Sequence, residues 1–184
     1  GLIAANLTIG GAGQVVDILQ SMVVSNNAVL TVPAGTILRF APGTGLRVLQ
    51  GALVANGTAL DPVVFTSSKD REDAVAAAGD WQGISLETGS GNSSLRHTYV
   101  KYGMGLTLSN TAPKVDAFPA LYNAPAGLTL TNGAVLNTTN TLLSFNAIGA
   151  RQLGSAQLGI RGSVLKNNDT NALAAGGSAL VAQG

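Results

Sequence analysis

The sequence predicts a parallel β-solenoid, in which the chain winds repeatedly through short strands that stack on one another. Two observations carry this prediction. Between residues 30 and 65, alternating apolar runs are separated by Pro-Gly, Asn-Gly and Asp-Pro, so each run is long enough for a strand and too short for an ordinary helix. Similar Gly-x-apolar runs recur downstream at a spacing typical of solenoids.

The repeat length follows from comparable Gly-x-apolar segments. Their first apolar residues are 38, 22, 22, 32 and 20 residues apart, which fits a coil of about 20–22 residues with extra loop in the two long intervals. The Leu-x-x-Leu-x-Leu spacing of leucine-rich repeats is absent, and frequent Gly, Pro and β-branched residues exclude helical repeats. The six residues are Leu46, Ile84, Leu106, Leu128, Ile160 and Leu180.

Alternation along each run predicts which side chains enter the core. Because successive residues of a strand point to opposite faces, Leu46 and Val48 should face inward while Arg47 faces outward. Inward side chains of successive coils would then form aliphatic ladders about 4.8 Å apart. Asn167 and Asn168 either join a ladder of turn residues or are ordinary turn residues.

Composition narrows the function classes. Apolar residues make up 46% of the 184 residues but only eight are aromatic (one Trp, three Tyr, four Phe), so Val, Ile, Leu and Ala must fill the core. A net charge of +1 argues against a nucleic-acid partner. The chain has no cysteine, which excludes disulfides and thiol catalysis, and no apolar stretch approaches the length of a membrane span. We predict no cofactor.

The segments PAGTILRF, GLRVLQGALVANGT, DPVVFTSS, GDWQGISL and SSLRHTYVKYG follow one another between about Leu30 and Gly103. This succession resembles the right-handed parallel β-helix repeat segments of large bacterial extracellular and surface proteins. The resemblance implies an all-β, right-handed parallel β-helix, an extracellular or cell-surface location, and a structural or adhesive role. It brings no agreed catalytic motif with it, so it implies no active site.

We expect residues 1–184 to form a single β-helix domain. Residues 1–29 would be a first coil or a cap, in which VVDILQSMVV (15–24) is a strand or, less favoured, a capping helix. Residues 69–78 and 109–126 would be loop insertions, the first with a short helix in AVAAAG and the second irregular because of its three prolines. The last coil lacks a polar cap, so we expect either a longer natural chain or coverage by another copy in a homo-polymer.

A run of charge at residues 69–73 supplies the candidate catalytic groups. Asp70, Glu72, Asp73 and the nearby Asp80 are the carboxylates that a polysaccharide lyase or hydrolase on this fold could use. The alternative is a solvated loop. We favour the loop, because consecutive residues point in different directions and seldom converge on one reacting atom.

Aromatic residues supply the candidate glycan-binding groups. Trp81, Tyr99 and Tyr102 could stack on sugar rings, although Trp81 fits better as a packing residue at a coil corner. His97, the one histidine, is either a general base or, as we favour, a strand-surface or turn residue. We predict no metal site, because the Gly-Gly-x-Gly-x-Asp repeats of calcium-binding solenoids are missing.

Three functions remain in order of preference. The first is a structural or adhesive extracellular β-solenoid, either a self-assembling fibre subunit or a segment of a larger surface protein, and it follows from sparse charge and the lack of a catalytic constellation. The second is a glycan-binding module. The third is a polysaccharide lyase or hydrolase, so an enzyme is the less favoured class.

Overall fold

A computed structural model describes residues 1–176 and 180–183, and in these residues the regular structure is entirely β. Its strands contain two to six residues, as expected for runs interrupted so often by turn-forming residues. In chain order they are β1 (Leu2–Ile3), β2 (Leu7–Thr8), β3 (Val15–Ile18), β4 (Met22–Val24), β5 (Val29–Val32), β6 (Ile37–Phe40), β7 (Leu46–Val48), β8 (Ala52–Asn56), β9 (Val63–Ser67), β10 (Ile84–Leu86), β11 (Ser94–Arg96), β12 (Thr98–Lys101), β13 (Leu106–Ser109), β14 (Lys114–Asp116), β15 (Pro119–Leu121), β16 (Ala126–Thr131), β17 (Val135–Thr139), β18 (Leu142–Ser144), β19 (Ile148–Leu153), β20 (Gln157–Arg161), β21 (Val164–Lys166), β22 (Thr170–Ala175) and β23 (Leu180–Gln183).

The strands form a right-handed parallel β-helix with about eight turns and three faces, which confirms the predicted fold class. Sheet A contains eight strands in the order β1-β4-β7-β10-β13-β16-β19-β22. Sheet C contains seven, β3-β6-β9-β12-β15-β18-β21. The remaining face is divided into sheet B, β2-β5-β8-β11-β14, and sheet D, β17-β20-β23. Each strand thus pairs with strands one coil before or after it, never with its neighbour in sequence.

Register in sheet A confirms the ladder predicted for the middle of the chain. Leu46 pairs with Ile84, Ile84 with Leu106, and Leu106 with Leu128. All four side chains are buried, and Arg47 points outward between two buried neighbours. The core is therefore a set of aliphatic columns that run along the solenoid axis.

The predicted loop insertion between Leu128 and Ile160 is wrong. Leu128 pairs with Ala150, which keeps the regular spacing of the coils before it. Ile160 lies on a different face, in β20, where it pairs with Thr138. The error arose because the same Gly-x-apolar pattern occurs on two faces of the coil.

A buried asparagine ladder stabilises the turn between sheets C and A. The backbone N–H of Asn123 donates to Oδ1 of Asn146 at 2.9 Å, and the N–H of Asn146 donates to Oδ1 of Asn168 at 2.9 Å. The Asn146 amide also donates to the carbonyl of Ala120 at 2.9 Å. Asn168 thus belongs to a turn ladder, the first of the two alternatives open from the sequence.

The segment 109–126 is a regular coil and not an irregular loop. It contains β14 and β15, and it is irregular only near Pro113. The N–H of Val135 donates to the carbonyl of Thr111, and the N–H of Ala117 donates to the carbonyl of Thr139. These bonds place Val135 opposite residue 112 and Thr139 opposite Asp116, so the register is the same at both contacts. Sheets B and D are separate because no continuous ladder joins β14 to β17, next to Pro113, which has no N–H to donate.

Neither the less favoured capping helix in 15–24 nor the short helix suggested for AVAAAG forms. Residues 15–24 fold as β3 and β4 with a turn between them, as the preferred interpretation had it. The AVAAAG segment has turns and no helix. In the part of the chain that the structure describes, no helix is long and apolar enough to cross a membrane.

We expect Asn146→Ala to lower the free energy of unfolding by about 1–3 kcal/mol for each buried backbone group it leaves unpaired. The groups at risk are the N–H of Asn123 and the carbonyl of Ala120. Urea unfolding followed by circular dichroism measures the change. The matched control is Asn137→Ala on an exposed position of β17; equal stability losses for the two variants would contradict a stabilising ladder.

Candidate functional site

The predicted carboxylates lie on or beside the one long connection in the described coils. Successive strands of sheet A are 38 residues apart here instead of 22, because β9 is followed by a segment that lies outside the coil. We call residues 68–79 the strap. The strap crosses the outer side of β9 and rejoins the coil at Asp80, whose N–H donates to the carbonyl of Tyr102 at 3.0 Å.

Asp70 attaches the strap to sheet C. Its carboxylate accepts a hydrogen bond from Oγ1 of Thr66 at 2.7 Å and forms an ion pair with Nζ of Lys101, also at 2.7 Å. Partial burial raises the pKa of Asp70, but these hydrogen bonds and the charges of Lys101 and Arg39 outweigh it, so the pKa lies below its ordinary value. Asp70 is therefore an anchoring anion.

Asp80 makes the second attachment. It accepts from Oγ of Ser67 at 2.8 Å, from the N–H of Ala77 at 3.0 Å, and from Nζ of Lys69 at 3.0 Å. Burial raises the pKa of this carboxyl, but the three donors together hold it below the ordinary range. Both anchored carboxylates are thus held ionised, which does not suit a general acid at neutral pH.

The other two candidate carboxylates point into solvent. Glu72 and Asp73 are exposed, and Asp73 forms an ion pair at 3.0 Å with Arg71, two residues before it in the sequence. The four carboxylates therefore divide into two anchors and two surface groups. Within the described ranges, no three His, Asp or Glu side chains are grouped so that they could hold a metal ion.

Trp81 is part of the core. Its ring is fully buried, stacks on Phe40 with centroids 4.4 Å apart, and donates Nε1–H to the carbonyl of Lys101 at 2.8 Å. The neighbouring coil comes so close that a Cβ at Gly103 would lie 2.6 Å from the indole, so only glycine fits there. The preferred packing interpretation of Trp81 agrees with this position, and its ring cannot reach a sugar.

Tyr102 begins an aromatic stack that runs over three coils. Its ring stacks on Tyr122 at 5.2 Å, and Tyr122 stacks on Phe145 at 5.0 Å. All three residues have φ of 57–58°, a region that bulky residues rarely adopt, and the last two are 39% and 48% exposed. The spacing of 20 and 23 residues was the signal in the sequence that could have identified the last two members.

Tyr99 lies in a different place, a groove of about 270 Å³ at the turn between sheets B and C. The groove also contains His97, Thr58 and Asn140, together with apolar Pro62. An aromatic ring beside hydroxyl, amide and imidazole groups is the composition of a site for a small polar ligand. The structure thus separates the three glycan candidates into a core residue, a member of the aromatic stack and a groove residue.

Comparison with known proteins identifies the fold family. A family model described as a pectate-lyase-like β-helix domain matches residues 1–98, about half of the chain. No curated protein and no solved structure shows a significant match.

We expect Trp81→Ala to lower the free energy of unfolding by about 3–5 kcal/mol, because it removes a fully buried indole. Thermal and urea unfolding measure the loss. Val75→Ala, on a side chain that is 85% exposed, is the matched control. A loss for Trp81→Ala no larger than that of the control would show that the indole does not pack in the core.

We expect the carboxyl of Asp70 to titrate below the ordinary aspartate value of about 3.9. Because its pKa is lowered by folding, the stabilisation from Asp70 is complete above the unfolded-state value and is lost as pH falls through the folded-state value. Side-chain carboxyl NMR measures the midpoint. Lys101→Met should raise it, and a midpoint unmoved by this substitution would contradict the ion pair as a cause.

Proposed function

The chain belongs to the family of pectate-lyase-like β-helix domains, and from this premise we propose that it is a structural or adhesive extracellular β-solenoid, a fibre subunit or a segment of a larger surface protein. The observation that carries the proposal is the backbone pairing of sheets A and C, which runs without interruption through eight and seven strands. Such continuous parallel pairing makes a rod in which every coil is held by its neighbours.

The distribution of charge supports the same proposal. Lys, Arg, Asp and Glu make up 10% of the chain, and the two partly buried carboxylates beside sheet C serve as anchors for the strap. A glycoside hydrolase of the common two-carboxylate type would need a carboxyl group free to exchange a proton with its substrate. Asp70 and Asp80 instead hold a connection in place, so we rank an enzyme below a rod.

Electron microscopy and cell attachment test the proposal. We expect fibres formed by end-to-end contact of coils, or attachment of the labelled chain to cell surfaces. Negative-stain images at neutral pH detect the fibres, and a cell-binding assay measures the attachment. Dispersed monomers that attach neither to cells nor to isolated cell-wall material would contradict the proposal.

A glycan-binding module is the second candidate, and the groove around Tyr99 favours it. The half-buried phenol ring offers a stacking surface, and Asn140, His97 and Thr58 offer hydrogen-bonding groups at its margin. We expect Tyr99→Ala to lose any binding seen on an array of neutral and acidic glycans, whereas Val75→Ala retains it. Equal binding by the two variants would exclude the groove.

A further inference from the structure

The strap covers a column of polar side chains that the proposed function does not use. Arg39 of β6 pairs in register with Thr66 of β9. Lys101 takes the same position in β12, because Val100 pairs with Phe65. Successive strands are about 4.8 Å apart, so the three outward-facing side chains can meet on one small group placed over the middle strand.

Asp70 is the group now placed there. It accepts from Thr66 and from Lys101 at 2.7 Å each, and the positive charge of Arg39 acts on the same carboxylate. Asp70 comes from the strap and not from the coil, so these donors are supplied by the rod and their acceptor by a separate segment. The arrangement resembles a ligand site occupied by the chain's own carboxylate.

The positive charge of the site exceeds what one carboxylate can neutralise. Arg39 and Lys101 together carry two positive charges, against one negative charge on Asp70. Nε of Arg39 is buried, and it donates no hydrogen bond within the described part of the chain. A buried donor without a partner is costly, so this site is incompletely satisfied as it stands.

Other charges nearby do not remove this excess. Asp17 of β3 pairs in register with Arg39, but it is exposed and no ion pair joins the two among the described residues. Asp80 is neutralised by Lys69. Tyr102 adds only a phenol, whose pKa is raised by burial and by the charge of Asp70.

The strap is attached weakly enough for another anion to displace Asp70 from the site. Its one large apolar side chain, Val75, is 85% exposed, so the strap buries no apolar anchor. The ion pairs of Asp70 and Asp80 and a few hydrogen bonds are its principal attachments. Ion pairs that are partly exposed contribute little to stability. A competing anion therefore needs an affinity for the site only modestly greater than that of Asp70.

We propose that Arg39, Thr66 and Lys101 form a binding site for a phosphoryl dianion, and that the strap occupies this site with Asp70 as an internal competitor. The two negative charges of a phosphoryl dianion neutralise both cations, whereas the single charge of the Asp70 carboxylate neutralises only one. The tetrahedral oxygens of a phosphoryl group accept hydrogen bonds from several directions, so they can engage the hydroxyl, the ammonium and the guanidinium together. The ligand is either free phosphate or a phosphate monoester on a larger molecule.

Calorimetric titration with inorganic phosphate and with glucose 6-phosphate at pH 7.5 tests the proposal. We expect Asp70→Asn to bind inorganic phosphate at least tenfold more tightly than the unchanged chain, and Lys101→Met in that background to lose the gain. Asp73→Asn, which removes an exposed carboxylate of the same strap, is the matched control. Tighter binding of the sugar phosphate than of free phosphate would assign the ligand as a monoester, and the reverse would assign the free ion.

Trypsin cleavage of the unchanged chain gives a second measurement that does not depend on a variant. Lys69 and Arg71 both lie in the strap, so phosphate that displaces Asp70 should speed cleavage there, while sodium chloride at equal ionic strength should not. Equal phosphate affinity for Asp70→Asn and Asp73→Asn, or cleavage that responds equally to the two salts, would overturn the site. Neither result bears on fibre formation or cell attachment, so the two proposals can fail separately.

Discussion

Parallel pairing between coils is the constraint on which the rest of the structure depends. No strand in the described residues exceeds six residues, and none pairs with its neighbour in sequence. The backbone N–H and C=O groups of the strands therefore pair with the coils before and after them, while bonds within a coil are confined to its turns. Once this pairing is set, residues one coil apart become lateral neighbours, and their side chains must stack, whatever their chemistry.

The aromatic stack shows what this constraint costs and what offsets the cost. Tyr102, Tyr122 and Phe145 each adopt a left-handed backbone conformation that Asn or Gly would adopt with less strain. Each stacked pair of rings contributes roughly 0.5–1.5 kcal/mol beyond its buried area, which is of the same order as the backbone penalty. The neighbouring asparagine ladder instead satisfies backbone groups of the same turn with hydrogen bonds. One turn of the coil thus carries a polar column inside and an aromatic column outside.

The sequence predicts the coil well and the positions of its faces less well. The pairing from Leu46 to Leu128 follows from a local pattern, because glycine precedes an alternating apolar run in each coil. The same pattern at Ile160 marks a different face, and nothing local distinguishes the two. Three prolines made 109–126 look irregular, yet Pro119 begins a strand and Pro113 lies just before β14, positions that tolerate the missing N–H.

The candidate site could be predicted only in part, for a related reason. A run of consecutive charges identified Asp70, and Asp80 was added because it lies nearby in the sequence, but the roles of both depend on partners in other coils. The spacing of Lys101 and Thr66 in the sequence predicts that they lie side by side only if the residues of the strap are left out of the coil length. The grouping of Tyr102 with Tyr122 and Phe145 likewise requires the coil length in that region. Long-range register, and not residue type, was the missing information.

The break in the third face between β14 and β17 gives the rod a direction in which it bends most easily. Sheets A and C continue past this level with their hydrogen bonds intact, while the third face is divided there. Bending that opens the divided face stretches few hydrogen bonds. Bending that opens the face of sheet A or of sheet C would strain a continuous ladder. A rod built this way has unequal stiffness around its axis, with its compliant side set by the missing ladder between β14 and β17, next to Pro113.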